Sequence, residues 1–205
     1  MRKPASERKD EMVAATLRLM AEVGPDRVST DAVARAVGVT QAALFRHFPR
    51  KADLWMAVLA WLTGQTAEGR WPAAVAGPGA ALGRLRALVR AQLDLIATTP
   101  AIPALLFSRE LHAGNEALRQ GLAGLMSQFH AHLAELLAEA RAAGEVGAEA
   151  DPRRVAAMIT SLIPGTAMRW SLAGHSFDLV AAGVDAVEVV LAGLTGGEAR
   201  RREGR

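Results

Sequence analysis

Residues 29–51, STDAVARAVGVTQAALFRHFPRK, specify two short helices and the tight turn between them, and no other stretch restricts the fold so closely. Ser29 or Thr30 can cap the first helix by accepting a bond from an unpaired backbone N–H, and Asp31 places negative charge where the helix dipole favours it. Val33, Ala34 and Val37 give that helix one apolar stripe, and Gly38 stands where a left-handed residue would end it. Thr40 is a second capping residue, after which Ala43, Leu44, His47 and Phe48 step along a helix of about two turns until Pro49 stops it. A small residue at Ala34 lets the helices approach, Gly38 makes the turn, and Leu44 locks the second helix to the first. That is the spacing of a helix-turn-helix.

Three segments in this order and spacing, residues 12–24 (MVAATLRLMAEVG), 29–40 and 44–51 (LFRHFPRK), resemble the tetracycline-repressor (TetR) family of bacterial regulators. They match its first helix, its helix-turn-helix and the start of its fourth helix. The resemblance implies an all-α fold of about nine helices: an N-terminal three-helix DNA-binding domain and a larger helical domain for ligand binding and dimerisation. It also implies a transcriptional regulator, with repression the family's common mode. Phe45 is a departure, because the family commonly has there a tyrosine whose hydroxyl bonds to phosphate.

Composition agrees with a helical chain. Alanine, leucine and arginine abound, tyrosine is absent, and two-residue alternation of β-branched residues is hard to find. The longest charge-free stretches, such as residues 155–168, fall short of the roughly twenty apolar residues that span a bilayer, so no membrane segment is expected. The N-terminus lacks the apolar core of a secretion signal and there is no cysteine, so a cytoplasmic location is expected and thiolate or disulfide chemistry is excluded. Residues 1–51 carry 10 Lys and Arg against 6 Asp and Glu, whereas the rest carry 14 against 15. A positive N-terminal module on a nearly neutral body suits phosphate binding, and by charge alone a solvated basic surface fits as well.

In chain order, residues 1–8 read as a flexible arm whose Arg2 and Lys3, with Arg8 and Lys9, could reach phosphate. Met12, Ala15, Thr16, Leu19, Met20 and Val23 form the inner face of a first helix ended at Gly24-Pro25. A DNA-binding domain over 1–51 is expected, with the fourth helix from residue 51 as link, then an effector-binding and dimerisation domain over 52–197 and a basic, disordered tail over 198–205. Within the larger domain, residues 64–83 read as a loop and 82–97 as a helix. Further helices are predicted at 102–112, at 116–143 and at 152–172, the last opened by Asp151-Pro152 and kinked at Pro164, and finally at 177–194.

One two-turn reading helix makes few contacts, so a homodimer on a palindromic operator is expected. Residues 152–172 and 177–194, apolar on wide faces, would form its four-helix interface or else pack within one chain. The DNA-contacting set is Ser29, Thr30, Thr40, Gln41, Ala42, Phe45, Arg46, His47 and Lys51. In it Thr40 and the helix start hold a phosphate, Gln41 reads a base edge and Ala42 meets a thymine methyl. Arg46 reaches a base or a phosphate, and His47 and Lys51 match family positions that grip the backbone. By analogy with the family's ligand-binding half, an unknown small apolar or amphipathic effector would sit among Phe107, Met126, Phe129, Met158 and Trp170, with His112, His130 and Arg169 as polar anchors. No cofactor and no metal is expected: His130 and His132 are two apart and point to different sides of a helix, and no nucleophile or phosphate-loop motif appears, which argues against an enzyme. A DNA-binding dimer without an effector is the other rival.

Overall fold

A computed structural model describes residues 4–195, and among them every regular element is a helix. The order is α1 (Ala5–Val23), a single 3-10 turn (Pro25–Arg27), α2 (Thr30–Ala36), α3 (Gln41–His47), α4 (Lys51–Gln65), a π-helical turn (Thr66–Arg70) and α5 (Trp71–Val75). Then come α6 (Ala81–Thr98), α7 (Ala101–Phe107), α8 (Arg109–Ala113), α9 (Glu116–Ala142), α10 (Pro152–Leu172) and α11 (Leu179–Thr195). No helix among the described residues is long and apolar enough to cross a membrane. Arg2, Lys3 and the tail 198–205 lie outside the described residues.

The chain divides into two compact units: residues up to 64 with 99–124, and 65–98 with 125 onward. In the first unit α1 packs on α2, α3 and α7. Its buried face includes Val13 and Leu17, whereas Val23, expected inward, is 44% exposed. Residues 5–8, read as part of an arm, are the first turn of α1, where Arg8 pairs with Glu11 at 3.0 Å. The helix predicted over 102–112 is broken at Ser108. Its hydroxyl oxygen accepts from Leu111 N (3.1 Å) to cap α8 and donates to Asp26 Oδ1 (2.7 Å), a better use of a serine than a mid-helix position. That bond ties residues 99–124 to the 3-10 turn after α1, so a boundary at 51/52 separates segments that pack together here.

In the second unit α6 packs on α5 and α11, and α10 packs on α11. The loop expected over 64–83 is helical as far as Val75. Pro72 has no N–H to give, and the helix widens just before it, with Trp71 N donating five residues back to Thr66 O. Burial of Trp71, whose Nε1 donates to Gln92 Oε1 at 2.9 Å, outweighs the weak helix propensity of the glycines and proline around it. Gly144 (φ 74°) ends α9 and aims Glu145 at the start of α6, where its carboxylate accepts from Ala81 N (3.0 Å) and Leu82 N (3.2 Å). Asp151 caps α10 through Arg153 N and Arg154 N with Pro152 in the first turn, as the sequence predicts. Asp178 caps α11, so that helix starts at Leu179 and not at Phe177.

Arg86 on α6 pairs with Glu188 on α11 through two bonds of 2.6 and 2.9 Å. The hydrogen bonds from Arg86 hold the Glu188 carboxyl below its ordinary range. A depressed carboxylate stabilises the fold above its unfolded pKa, and that contribution is lost as pH falls through the folded value. Both side chains are more than a third exposed, so solvent screening keeps the pair to about 0.5 kcal/mol or less.

Gly121 marks the tightest approach within the first unit. A Cβ there would lie 2.1 Å from Leu59 Cδ2 on α4, and Leu59 is buried. Gly121→Ala is therefore expected to cost about 1–3 kcal/mol by overpacking. Chemical denaturation should find the loss, and Leu59→Ala in the same chain should recover part of it.

Candidate nucleic-acid interface

The turn between α2 and α3 is built from backbone. Gly38 takes φ 69°, its N–H donates to Arg35 O (3.1 Å) and Val39 N donates to Ala34 O (3.0 Å), a two-bond stop that satisfies carbonyls at the end of α2. Ser29 Oγ accepts from Ala32 N at 3.1 Å, and Thr40 Oγ1 accepts from Ala43 N at 3.2 Å. With Val33, Ala34 and Leu44 fully buried, α3 can turn only one face to solvent.

That face carries Gln41, Ala42, Phe45 and Arg46, all exposed, with exposed Lys51 just beyond the end of the helix. His47 is half-buried at the last turn of α3. Thr30 opens α2, and its hydroxyl accepts from Gln41 Nε2 at 2.8 Å, so these two predicted DNA contacts are joined to each other. Phe45 is 38% exposed, an apolar ring on an otherwise polar face.

Charges sort into paired and available. Arg35 pairs with Asp31 (2.9 Å), and Arg50 with Asp53 (2.7 Å). Asp53 also accepts from the Arg50 backbone N–H at 2.9 Å, and the Arg50 side-chain bond chiefly holds its carboxyl below the usual range. Among the described residues neither Arg46 nor Lys51 is in an ion pair. Lys51 Nζ lies 5.6 Å from the ring centroid of buried Trp55, a cation–π contact. Sequence reading missed the parts played by Asp53 and Trp55. The signals were present: Asp53 is the third residue of its helix and stands three after Arg50, where a side chain can reach back, and Lys51 and Trp55 are four apart on one helical face.

The eight residues expected around an effector are divided between the two units. Phe107 and His112 belong to the first unit, where His112 Nε2 meets Leu105 O at 2.9 Å and Phe107 is 42% exposed. The other six lie in the second unit, and there Met126 and Met158 are on the surface, Met158 at 57%. Arg169 is exposed over the Phe177 ring, Trp170 is buried with the His175 ring 4.1 Å away, and His130 is half-buried. Phe129 alone of the eight joins an interior aromatic group, 5.3 Å from Trp71, which also meets His132 edge-on at 6.4 Å. His132 Nδ1 is buried without a hydrogen-bond partner, since Glu135 Oε2 at 3.8 Å is too distant. Trp71 and Gln92 escaped the sequence reading because the segment holding Trp71 reads as loop.

Residues 12–58 match the family described as bacterial regulatory proteins, tetR family, and residues 81–182 match the tetracyclin repressor-like C-terminal domain. The nucleoid occlusion factor SlmA of Vibrio atlanticus is 25% identical over 166 residues, 80% of this chain and 84% of that protein. The fatty acid metabolism regulator protein of Bacillus subtilis is 23% identical over 90% of this chain and 94% of its own length. Among solved structures, the fatty acid degradation regulator FadR from Bacillus halodurans superposes with a TM-score of 0.78 at 20% identity, covering 95% of this chain and 98% of that one. FadR from Bacillus subtilis in complex with stearoyl-CoA gives 0.75 at 22%, covering 90% and 98%. The two matched segments together take in both the helix-turn-helix and most of the helical body, and the chain belongs to the TetR family of bacterial DNA-binding regulators.

Proposed function

We propose that this chain is a ligand-responsive repressor that binds a palindromic operator as a homodimer and leaves it when a small apolar or amphipathic effector binds. The observation that carries the DNA half is the exposed strip of Gln41, Ala42, Phe45 and Arg46 on a rigidly capped helix, flanked by a lysine free of ion pairs. Gln41 and Ala42 read base edges, while Thr40, His47 and Lys51 hold the backbone and Arg46 serves either. Phe45 contributes an apolar contact. Ser29 serves through its cap, which sets where α2 begins.

The mate for dimerisation is the outer face of α10 and α11. Met158 and Leu172 on α10, the latter 81% exposed, and Val189 on α11, 75% exposed, leave apolar surface without a covering element among the described residues. Two such faces from two copies make a four-helix bundle.

The effector is assigned to the second unit. Trp71, Phe129 and His132 supply aromatic surface, and the buried, unpartnered His132 Nδ1 supplies a polar anchor of the kind that binding sites fill. A long-chain acyl compound fits this chemistry, and stearoyl-CoA is the ligand named with the Bacillus subtilis FadR structure. The likeness to SlmA favours a second reading, a DNA-binding dimer without an effector, because that relative is named for the nucleoid and not for a metabolite.

Three outcomes follow from these assignments. Lys51→Ala should weaken binding to every duplex and reduce the slope of log affinity against log salt by about 1. Titrations at two salt concentrations read both, and an unchanged slope removes Lys51 from the phosphate contacts. Val189→Asp, with its helix content checked by circular dichroism, should sediment as a monomer and bind DNA at least about ten-fold more weakly, because linkage of two reading heads is lost. A dimer of native affinity moves the interface elsewhere. Stearoyl-CoA or stearate at a hundredfold excess over its Kd should add about 2.7 kcal/mol of apparent stability and lower affinity for DNA. Stabilisation with DNA affinity unaltered favours the effector-free reading.

A further inference from the structure

A free glutamine amide can read a base in either sense. With the NH2 group outward it satisfies acceptors such as guanine O6 and N7, and with the carbonyl outward it accepts from the amino groups of adenine N6 or cytosine N4. Nothing in the sequence of α3 chooses between them. The choice is made from α2, where Thr30 Oγ1 accepts from Gln41 Nε2 at 2.8 Å across eleven positions of chain. Ser29, not Thr30, caps α2, so the Thr30 hydroxyl is not consumed at the helix start, and among the described residues it makes no other hydrogen bond.

We infer that Thr30 is a positioning residue that fixes the polarity of Gln41, and so makes Gln41 a reader of adenine. The inference rests on the proposed role of Gln41 as a base reader and adds to it a second residue and a sense of reading. A hydroxyl has one proton to give. Phosphate oxygens only accept, so a Thr30 side chain that meets the DNA backbone must spend its proton there and can then only accept from Gln41. The resulting chain, Gln41 N–H to Thr30 hydroxyl to phosphate, runs in one direction. It uses one of the two amide N–H groups and leaves the other N–H beside the carbonyl oxygen facing the groove. That pair matches adenine N7 and N6–H. Guanine in the same place sets its O6 against the glutamine carbonyl, two acceptors face to face. Flipping the amide to suit guanine would break the bond to Thr30 or cost Thr30 its phosphate.

The test is selection from a randomised duplex library by the full chain, followed by titration of the best duplex and of versions with each base pair permuted. The position read by Gln41 is the one whose preference vanishes in Gln41→Ala. Wild type should hold an A·T pair there. Thr30→Val, equal in shape but without the hydroxyl, should lower the adenine-over-guanine ratio at that position by about five-fold or more. Thr30→Ser should restore it. A general loss of affinity from the missing phosphate contact appears equally at all positions, and so cannot imitate a change at one. A G·C pair in the wild-type selection, or a ratio untouched in Thr30→Val, overturns the inference while the operator reading stands. No enrichment of any sequence by the wild type overturns both.

Discussion

The left-handed residue at Gly38 is the constraint on which the reading head depends. It reverses the chain within one peptide unit while the bonds from Gly38 and Val39 to Arg35 and Ala34 close α2. Both α2 and α3 have seven residues, well below the length at which a helix is stable alone in water. They exist because each has a side-chain cap at its start and a buried apolar face against α1. An L side chain at position 38 would strain the turn with no clash to blame, since nothing lies within 4 Å of the place a Cβ would take. The surface of α3 offered to DNA is thus set by backbone geometry first and by its own side chains second.

The sequence was most legible where local chemistry decides the outcome. Thr40 and Asp151 cap the helices they were expected to cap, Ser29 takes the cap that it or Thr30 could supply, and Gly38 turns left-handed. It failed where distant residues overrule local preference. Gly64, Gly69 and Pro72 read as a loop, yet the buried Trp71 and its bond to Gln92 keep the chain helical to Val75. The cap on α6 comes from Glu145, over sixty residues away, and no window of sequence holds both ends of that interaction. Met158, expected beside an effector, keeps the spacing of its helix but stands on the outward stripe. Hydrophobic periodicity finds an apolar residue without telling which surface it serves.

The same division runs through the site. Which residues of α3 face outward follows from the period of the helix, and the set expected from sequence lies on that face or beside it. What those residues do to one another does not follow. Arg50 carries a charge in any sequence count, and in the fold Asp53 takes it up. Net charge over residues 1–51 therefore overstates the field at the reading helix, where Arg46 and Lys51 carry what is available. The effector set is divided between the two units, because side-chain type picks residues without regard to neighbours that only the fold reveals.

Residues 99–124 change how a signal would reach the head. They share a compact unit with α1 to α4 through the Asp26–Ser108 bond, the packing of α7 on α1 and the close approach of Gly121 to Leu59. Two helical runs pass from that unit into the other without a break: α4 through its π-helical turn into α5, and α9 after its ninth residue, Gly124. A helix transmits displacement along its length more readily than a loop does, so either run is a better conduit than the joins at 98–99. The π-helical turn is the soft point on the first, because Pro72 removes a backbone donor there. Trp71, in the aromatic group assigned to the effector, directly follows that turn. Under the proposed function, a ligand that shifts Trp71 acts where the helical ladder is already weakened. A coupling of about 1–3 kcal/mol, the usual size between two sites, then asks for little more than a redistribution of bonds around one turn.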